Sequence, residues 1–425
     1  MNKATLVMKV TQVLTRARLA PAGQTVFSNR LECRNRSRRC SRRFGPLRLL
    51  CALAAIPMAQ AQTAPWNETV LRSFGNFAPK GTAPQGGVIR DAAGNLYGTA
   101  AAGGAGGVGT VYKVTPEGVQ TVLHSFTGGA DGGVPQGNLI ADSEGNLYGT
   151  TEIGGTANAG VVYQVNLKRQ ETVLYSFTGG ADGALPVAGL IRDPAGNLYG
   201  TTLFGGSDGA GVVFKLDTSG NLTVLYTFTG GADGGYPVCA LVRDAAGNLN
   251  GTTAGGGTAN AGVVFELDAT GQESVLYNFT GGADGGDPLA GVIGDSSGNF
   301  YGTTSGGGNL SGCNGSGCGV AYKVDRAGKE TVLYTFSGAA DGARPIAGVI
   351  RDAAGNLYGT AANGGDLISA CYNGNNGCGV VYKLDQSGNE TVLHAFTDAA
   401  GTLTEGETVK IKEGMIFDVT ETNKS

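Results

Sequence analysis

The chain has 425 residues, with 34 acidic and 30 basic side chains. Glycine accounts for 76 of the 425 residues, well above the average glycine content of proteins, which is roughly 7 %. Collagen is excluded because no Gly-X-Y period accompanies the glycines. Simple disorder is excluded because 41 % of the residues are hydrophobic and occur in regularly spaced runs. The composition therefore predicts a strand-rich globular chain whose segments are separated by glycine.

The first 61 residues have the composition of an export signal. They hold 12 basic residues and one acid, Glu32, followed by an apolar run at 49–56 and the small-residue site Ala59-Gln60-Ala61. This order is typical of a secretory signal peptide, here with a long basic N-terminal extension and cleavage after Ala61. The apolar run is too short to cross a bilayer. We expect residues 62–425 to form a secreted, periplasmic or cell-surface protein.

The charge of the remaining chain excludes two classes of partner. Residues 62–425 keep 18 basic and 33 acidic side chains, which gives a net charge of −15. A surface of this sign repels phosphate backbones and anionic lipid head groups. No apolar stretch in this part approaches the roughly 18 residues of a membrane span. We therefore expect neither nucleic-acid binding nor a membrane anchor.

A repeat of about 51 residues begins after the signal. Tyr97, Tyr148 and Tyr199 of the phrase GNLYGT lie 51 residues apart, and the last repeats are lengthened by insertions. A fixed period of about this size predicts propeller blades or solenoid coils rather than an ordinary globular domain. We therefore treat residues 62–425 as one domain of about 51-residue repeats.

Each repeat is predicted to contain four short strands. In the third copy these are strands a, b, c and d at residues 188–192, 197–202, 211–216 and 223–228. Asp opens and Gly closes the a–b and c–d connections, as tight hairpins require. A repeated meander of this kind predicts an all-β protein, a β-propeller with four-stranded antiparallel blades. A parallel β-helix is the alternative, but its coils are shorter and lack tight hairpins.

The number of blades is open at this stage. Six repeats are clear, and a further strand d stands before them at residues 68–74. The tail at 413–421 can be aligned with the a–b hairpin at 144–152. A degenerate seventh blade could combine these two segments and close the ring, although it would lack strand c. Seven blades are predicted, with six as the alternative.

The repeated phrases GNLYGTT, GVVFKL and TVLYSFTGGADG resemble the gloverin-like, or GloVer, tandem repeat of secreted bacterial proteins over about residues 68–396. The resemblance implies an exported or surface-bound bacterial protein. It implies no agreed activity, and so no catalytic residues. Relatives of this kind often carry a C-terminal sorting anchor, which residues 421–425 do not provide.

Four arginines close the predicted innermost strand of their repeats: Arg90, Arg192, Arg243 and Arg351. They are the candidate binding residues, since a ring of guanidinium groups at the channel mouth could hold an anion or a carboxylate. The alternative is that each arginine pairs with a nearby aspartate on the surface.

Other repeated polar residues favour structural roles. An aspartate recurs in each d–a loop, at Asp131, Asp182, Asp233, Asp284 and Asp341. These could bind Ca²⁺, but a single carboxylate flanked by glycine is more typical of turn chemistry. His124 and His394 take the place of a tyrosine in strand d, and the repeated aromatic residues favour packing between blades over sugar binding. No catalytic set, metal site or cofactor is predicted.

Four cysteines lie in the lengthened b–c loops of the last two repeats, at 305–318 and 363–378. In an exported chain they predict disulfides, and we expect the pairs Cys313–Cys318 and Cys371–Cys378 because each pair closes its own insertion. Cys239 replaces a small residue of the sister repeats and is expected to be a buried thiol.

These features favour a secreted, monomeric and non-enzymatic propeller. The b–c and d–a loops lie at one face, and loops on a rigid scaffold are where recognition usually occurs. We expect that face to bind an extracellular protein or glycan. The alternatives are a lyase or hydrolase with its site at the channel mouth, and a passive structural or adhesive repeat protein.

Overall fold

The computed structural model describes residue 71 and residues 80–367 and 377–396. These contain six four-stranded antiparallel sheets, each formed by strands a, b, c and d in sequence order. The strands of blades 1–3 are β1 Ile89–Arg90, β2 Leu96–Ala100, β3 Thr110–Val114, β4 Gln120–Ser125; β5 Ile140–Ala141, β6 Leu147–Thr151, β7 Val161–Val165, β8 Glu171–Ser176; β9 Ile191–Arg192, β10 Leu198–Thr202, β11 Val212–Leu216, β12 Leu222–Thr227. Those of blades 4–6 are β13 Val242–Arg243, β14 Leu249–Thr253, β15 Val263–Leu267, β16 Glu273–Asn278; β17 Ile293–Gly294, β18 Phe300–Thr304, β19 Val320–Val324, β20 Glu330–Thr335; β21 Ile350–Arg351, β22 Leu357–Ala361, β23 Val380–Leu384, β24 Glu390–Ala395. The β-propeller and its four-stranded blades are therefore confirmed.

Strand a is shorter than predicted. In blade 3 it pairs with strand b only through Ile191 with Tyr199 and Arg192 with Leu198. The residues before it face the neighbouring repeat instead, since a β-carbon on Gly189 would lie 3.2 Å from the backbone nitrogen of Asn138. Strands b, c and d match their predicted bounds to within one residue.

Hairpins close the blades at the a–b and c–d ends. In the a–b turn of blade 3, Asp193 accepts hydrogen bonds from the backbone N–H of Asn197 at 2.9 Å and from the Tyr199 hydroxyl at 3.0 Å. Partial burial raises the pKa of Asp193, but these bonds outweigh it and leave the pKa below its usual value. The Asp and Gly positions predicted for the turns are thus explained by their contacts.

Aromatic rings join consecutive blades. The Phe that follows strand d in blades 1–5 is fully buried and meets, edge to face, the central aromatic ring of the next strand c. The ring centroids lie 4.9–5.2 Å apart in the pairs Phe126–Tyr163, Phe177–Phe214, Phe228–Phe265, Phe279–Tyr322 and Phe336–Tyr382. The packing interpretation of the repeated phenylalanines is therefore the one that the contacts support.

A threonine of strand b adds a hydrogen bond to each of these contacts between blades. Its hydroxyl donates to a backbone carbonyl in the segment that leads into strand a of the next blade. The bond is 2.7 Å from Thr150 to Ala188 and 2.9 Å from Thr252 to Ala290. Both threonines are buried, so the bond satisfies a hydroxyl that has lost its water.

The predicted seventh blade is not supported. Its segments, 68–74 and 413–421, lie outside the described residues except for Leu71. That one residue takes the place of a preceding strand d: a β-carbon on Gly118 would lie 2.8 Å from the Leu71 carbonyl oxygen, as one on Gly220 would lie 3.6 Å from that of Leu174. At the other end, Phe396 is only half-buried, unlike its five counterparts. The predicted signal peptide, residues 1–61, also lies outside the described part.

Four glutamates begin strand d beside the preceding blade: Glu171, Glu273, Glu330 and Glu390. Each has one buried carboxyl oxygen for which no hydrogen-bond partner is found among the described residues. Burial, followed by the charge of the aspartate in the preceding d–a loop, raises the pKa of each to about 7. In blade 1 the same position is Gln120, whose neutral amide donates to the Lys80 carbonyl oxygen at 3.0 Å.

Candidate recognition face

The b–c and d–a loops share one end of the strands, because every blade runs a-b-c-d with antiparallel neighbours. We call this end the loop face and the opposite end, formed by the a–b and c–d hairpins, the hairpin face. The loop face is the one that the sequence predicts for recognition.

The repeated aspartates of the loop face hold the d–a turn. Asp182 accepts bonds from the Thr178 backbone N–H at 2.8 Å, the Thr178 hydroxyl at 2.5 Å and the Tyr175 hydroxyl at 3.0 Å. The same pattern recurs in the other four loops, with His124 in the place of the tyrosine in the first. These contacts support the turn interpretation and leave the calcium alternative without a supporting observation.

The histidines behave as substitutes for the tyrosine of strand d. The His124 ring lies 4.7 Å from the Phe126 ring, edge to face, and its Nε2 lies 3.2 Å from Asp131. The His394 ring packs in the same way on Phe396, at 4.9 Å. Both side chains thus take the packing position that the repeat assigns to an aromatic ring.

One position of the d–a loop has an unusual backbone in all six repeats. It precedes the proline, and its φ lies between 52° and 61° although the residue is never glycine. We call these the clip residues: Ala83, Val134, Leu185, Tyr236, Asp287 and Arg344. A non-glycine residue in this region costs roughly 1–2 kcal/mol, and a following proline narrows its options further.

Two hydrogen bonds explain how the clip conformation is held. The Leu185 N–H donates to the Ala159 carbonyl of the b–c loop in blade 2, at 2.9 Å. The Leu185 carbonyl accepts from the Leu203 N–H of the b–c loop in blade 3, at 3.1 Å. The later clip residues make the same pair of bonds. Each of the five clips from Val134 onward therefore ties the b–c loops of two consecutive blades together.

The clip side chains differ while the proline that follows each of them is constant. In the second to sixth clips the residue before and the proline after are buried, while Tyr236, Asp287 and Arg344 are exposed. A second variable position lies beside each clip, in the b–c loop residue whose backbone bridges to the residue before the clip. These bridging residues are Ala102, Ile153, Phe204, Gly255, Gly306 and Asn363.

An aromatic pair marks the centre of the variable set. Phe204 and Tyr236 are 42 % and 38 % exposed, and their ring centroids lie 5.7 Å apart in an edge-to-face arrangement. Gly255 leaves the Tyr236 ring open, since a β-carbon there would come within 3.1 Å of it. Sequence reasoning missed the clip set, although the changing residue before each repeated proline was a visible signal.

The cysteines were predicted in part correctly. Cys313 and Cys318 form a disulfide around a short 3-10 helix, Cys313–Gly315. Cys378 is also disulfide-bonded, whereas Cys371, its predicted partner, lies outside the described residues. The Cys313–Cys318 bridge packs on the neighbouring d–a loop, because a β-carbon on Gly338 would lie within 2.9 Å of both sulfurs. Cys239 is buried, as expected.

The candidate arginines lie on the hairpin face, away from the loops. Arg90, Arg192, Arg243 and Arg351 are exposed at the ends of their strands a. Arg192 lies over the Tyr148 ring of the preceding blade, 6.0 Å from its centroid, and Arg351 lies likewise over Tyr301 at 5.5 Å. The structure therefore does not bring the arginines and the disulfide-closed loops together.

The alternative of surface ion pairs describes these arginines poorly. Across residues 80–367 and 377–396, Arg192, Arg243 and Arg351 make no ion pair with a carboxylate, and Arg192 and Arg351 lie over tyrosine rings instead. A cavity of about 160 Å³ opens beside Arg192, lined also by Tyr148, Leu174 and Asp217. Its mixed charge makes it a modest site for an anion.

Two further observations concern metals and membranes. In the part of the chain that the structure describes, no group of three or more His, Cys, Asp or Glu side chains is arranged to hold a metal ion. Within the same residues, no helix has the length and apolarity needed to cross a bilayer.

The repeated phrases are matched by a known protein family, described as the Gloeobacter/Verrucomicrobia repeat, at residues 59–193, 180–370 and 239–425. The chain belongs to this family. The resemblance to a gloverin-like repeat was therefore wrong: the GNLYGT and TVLYSF phrases that suggested it are the repeat units of the Gloeobacter/Verrucomicrobia family. No curated protein matches the chain.

Solved propeller structures resemble the chain only distantly. A protein described as a gluconolactonase is 13 % identical, with a TM-score of 0.37 over 59 % of this chain and 77 % of its own. The extracellular domain of a two-component system from B. thetaiotaomicron is 12 % identical, with a TM-score of 0.47 over 76 % of this chain and 36 % of its own. A luciferin-regenerating enzyme is 14 % identical, with a TM-score of 0.42 over 75 % of this chain and 94 % of its own. The fold assignment rests on the strands of the chain itself.

Proposed function

We propose that this chain is an exported, monomeric and non-enzymatic binding protein that recognises an extracellular protein or glycan through its loop face. The observation that carries the proposal is the contrast within each repeat of the loop face. The aspartate, threonine and tyrosine groups are used in turn hydrogen bonds, whereas the clip side chain is different in every repeat and is exposed at Tyr236, Asp287 and Arg344. A constant frame that presents differing side chains is an arrangement suited to recognition.

Export is part of this proposal and rests on the sequence and the disulfide. Residues 1–61 have the blocks of a signal peptide, and a Cys313–Cys318 bridge is typical of an oxidising compartment. N-terminal sequencing of the secreted chain should begin at Gln62. An intact N-terminus on secreted protein would contradict this part.

Binding is tested by presenting the purified chain to a glycan array and to displayed random peptides. We expect a limited set of ligands whose binding is lost when at least one exposed loop-face side chain is truncated. Leu310→Ala and Tyr236→Ala probe two separate parts of that face, because both residues are exposed there. Arg243→Gln, on the hairpin face, is the matched control. Ligands that depend on Arg243 alone would instead support the anion site at the arginines. A chain that binds nothing would favour the structural or adhesive alternative.

A further inference from the structure

The side chains retained at the clip positions are the starting point. Glycine adopts positive φ without strain and fills most such positions in the other turns of the described residues, yet none of the six clips is glycine. The strained backbone conformation recurs at the same place in six repeats, whereas the side chain differs each time. The fold alone does not explain why a side chain is present there. Strain of this kind is concentrated at functional sites.

The clip and bridging residues change in character from one blade to the next. Blades 2 and 3 present Val134 with Ile153 and Leu185 with Phe204, and blade 4 presents Tyr236 over Gly255. Blades 5 and 6 present polar pairs instead: Asp287 with Gly306 and Arg344 with Asn363. These residues lie close to one another along the loop face. The ring of the bridging residue Phe204 contacts the ring of the next clip, Tyr236. Burial raises the pKa of Asp287, and the charge of the next clip, Arg344, partly offsets this effect. The set thus forms one arc with an apolar part and a charged part.

The charge of the surrounding loops limits the partner. The eleven b–c and d–a segments between residues 101 and 379 hold nine acidic residues and one basic residue, Arg344. Such a surface repels anionic ligands and attracts neutral or basic ones. Exposed tyrosine, phenylalanine and arginine are also the side chains enriched at the centres of protein interfaces.

We infer that this arc is a docking site for a polypeptide of neutral or basic charge. Leu185, Phe204 and Tyr236 anchor an apolar side chain of the partner, and Asp287 and Arg344 orient it. The inference rests on the proposed binding function of the loop face and names the residues and the class of partner. Fixing the clip backbone before binding lowers the ordering cost of the complex.

The test selects peptides from a displayed random library on the wild-type chain and measures their affinity for single variants. We expect Phe204→Ala and Tyr236→Ala each to weaken binding by about tenfold or more. Leu310→Ala, in the b–c loop that carries the Cys313–Cys318 disulfide, and Arg192→Gln, on the hairpin face, should leave the affinity unchanged. All four side chains are exposed, and unchanged thermal unfolding checks that each variant is folded.

The possible outcomes separate this inference from the proposed function. Binding that Leu310→Ala abolishes while Phe204→Ala and Tyr236→Ala do not would overturn the clip site but keep the loop face. Binding sensitive only to Arg192→Gln would overturn both. Selection of no peptide overturns the polypeptide inference, and a neutral oligosaccharide that needs Tyr236 would assign the same residues to a glycan. Tyr236→Gly should abolish binding without loss of stability, because it relieves the positive φ.

Discussion

The two faces of the propeller differ in what the repeats keep constant. On the hairpin face every a–b turn has the same Asp and Asn, and five of six add the same Tyr hydroxyl. On the loop face the backbone is equally regular, but the clip side chain is different in every repeat. The hydrogen bonds of the a–b turns use side chains, which explains why the Asp and Asn are the same in all six turns and the Tyr is replaced in only one. The clip is held by backbone groups, which leaves its side chain free to change.

The contacts between blades should show the largest effect on stability. Phe228 is fully buried and its ring lies 5.1 Å from Phe265 of the next blade. Phe228→Ala removes this packing and leaves a cavity, so we expect a loss of about 3–5 kcal/mol in the free energy of unfolding. Thermal or urea unfolding measures it. Leu310→Ala on the loop face is the control and should change stability by less than about 0.5 kcal/mol. Equal losses would remove the distinction between the two regions.

One repeat breaks the pattern of the hairpin face. Asn250 stands where five repeats have the tyrosine, and it is fully buried. Within the part of the chain that the structure describes, neither of its side-chain polar atoms has a hydrogen-bond partner. Asn250→Tyr should restore the bond to Asp244 and remove the unpaired amide, which raises stability by about 1–2 kcal/mol. Tyr199→Asn is the reverse control and should lower it. A less stable Asn250→Tyr chain would show that blade 4 is packed specifically around asparagine.

The disulfide tests how far the loop face contributes to the fold. The Cys313–Cys318 bridge has a sequence separation of 5, so its effect on the unfolded chain is small. Cys313→Ser combined with Cys318→Ala should cost about 1–2 kcal/mol, seen as a lower melting temperature by a few degrees. The alanine avoids an unpaired hydroxyl at the buried Cys318. A chain that no longer folds would make the bridge a structural element of the propeller.

The sequence predicted the scaffold well because periodic signals report packing and turn geometry. The 51-residue spacing and the Asp-to-Gly turns located strands b, c and d, because these strands pair with one another within a single repeat. Strand a was overestimated because the residues before Ile191 pack on the neighbouring repeat, a contact that one repeat does not encode. The clip escaped notice because positive φ at a residue such as Val134 or Tyr236 is imposed by two hydrogen bonds from loops distant in sequence.

The buried glutamates allow a finer test, since they occur in some of the contacts between blades and not in others. Glu171, Glu273, Glu330 and Glu390 face an aspartate of the preceding d–a loop, and tyrosine side chains of strands c and d lie close by. The equivalent positions are Gln120 in blade 1 and Leu222 in blade 3. An uncharged side chain is thus compatible with this place in the fold.

Because the folded pKa of these four glutamates is raised to about 7 from a usual 4.5, the native state holds extra protons between these values. The contribution of these glutamates to stability should therefore be fully present below pH 4.5 and be lost as the pH rises through 7. The hairpin aspartates act oppositely, but only below about pH 4, since their pKa values are lowered. Solvent exposure limits the loss to about 1 kcal/mol per glutamate.

Melting temperatures at pH 5 and pH 8 measure this dependence, and the higher value should be at pH 5. Replacing all four residues, Glu171→Gln, Glu273→Gln, Glu330→Gln and Glu390→Gln, should flatten it, because glutamine is neutral at both values and can donate as Gln120 does. Glu144→Gln, in an exposed turn, is the matched control and should retain the slope. A quadruple variant that keeps the slope of the wild type would place the titrating groups elsewhere in the propeller.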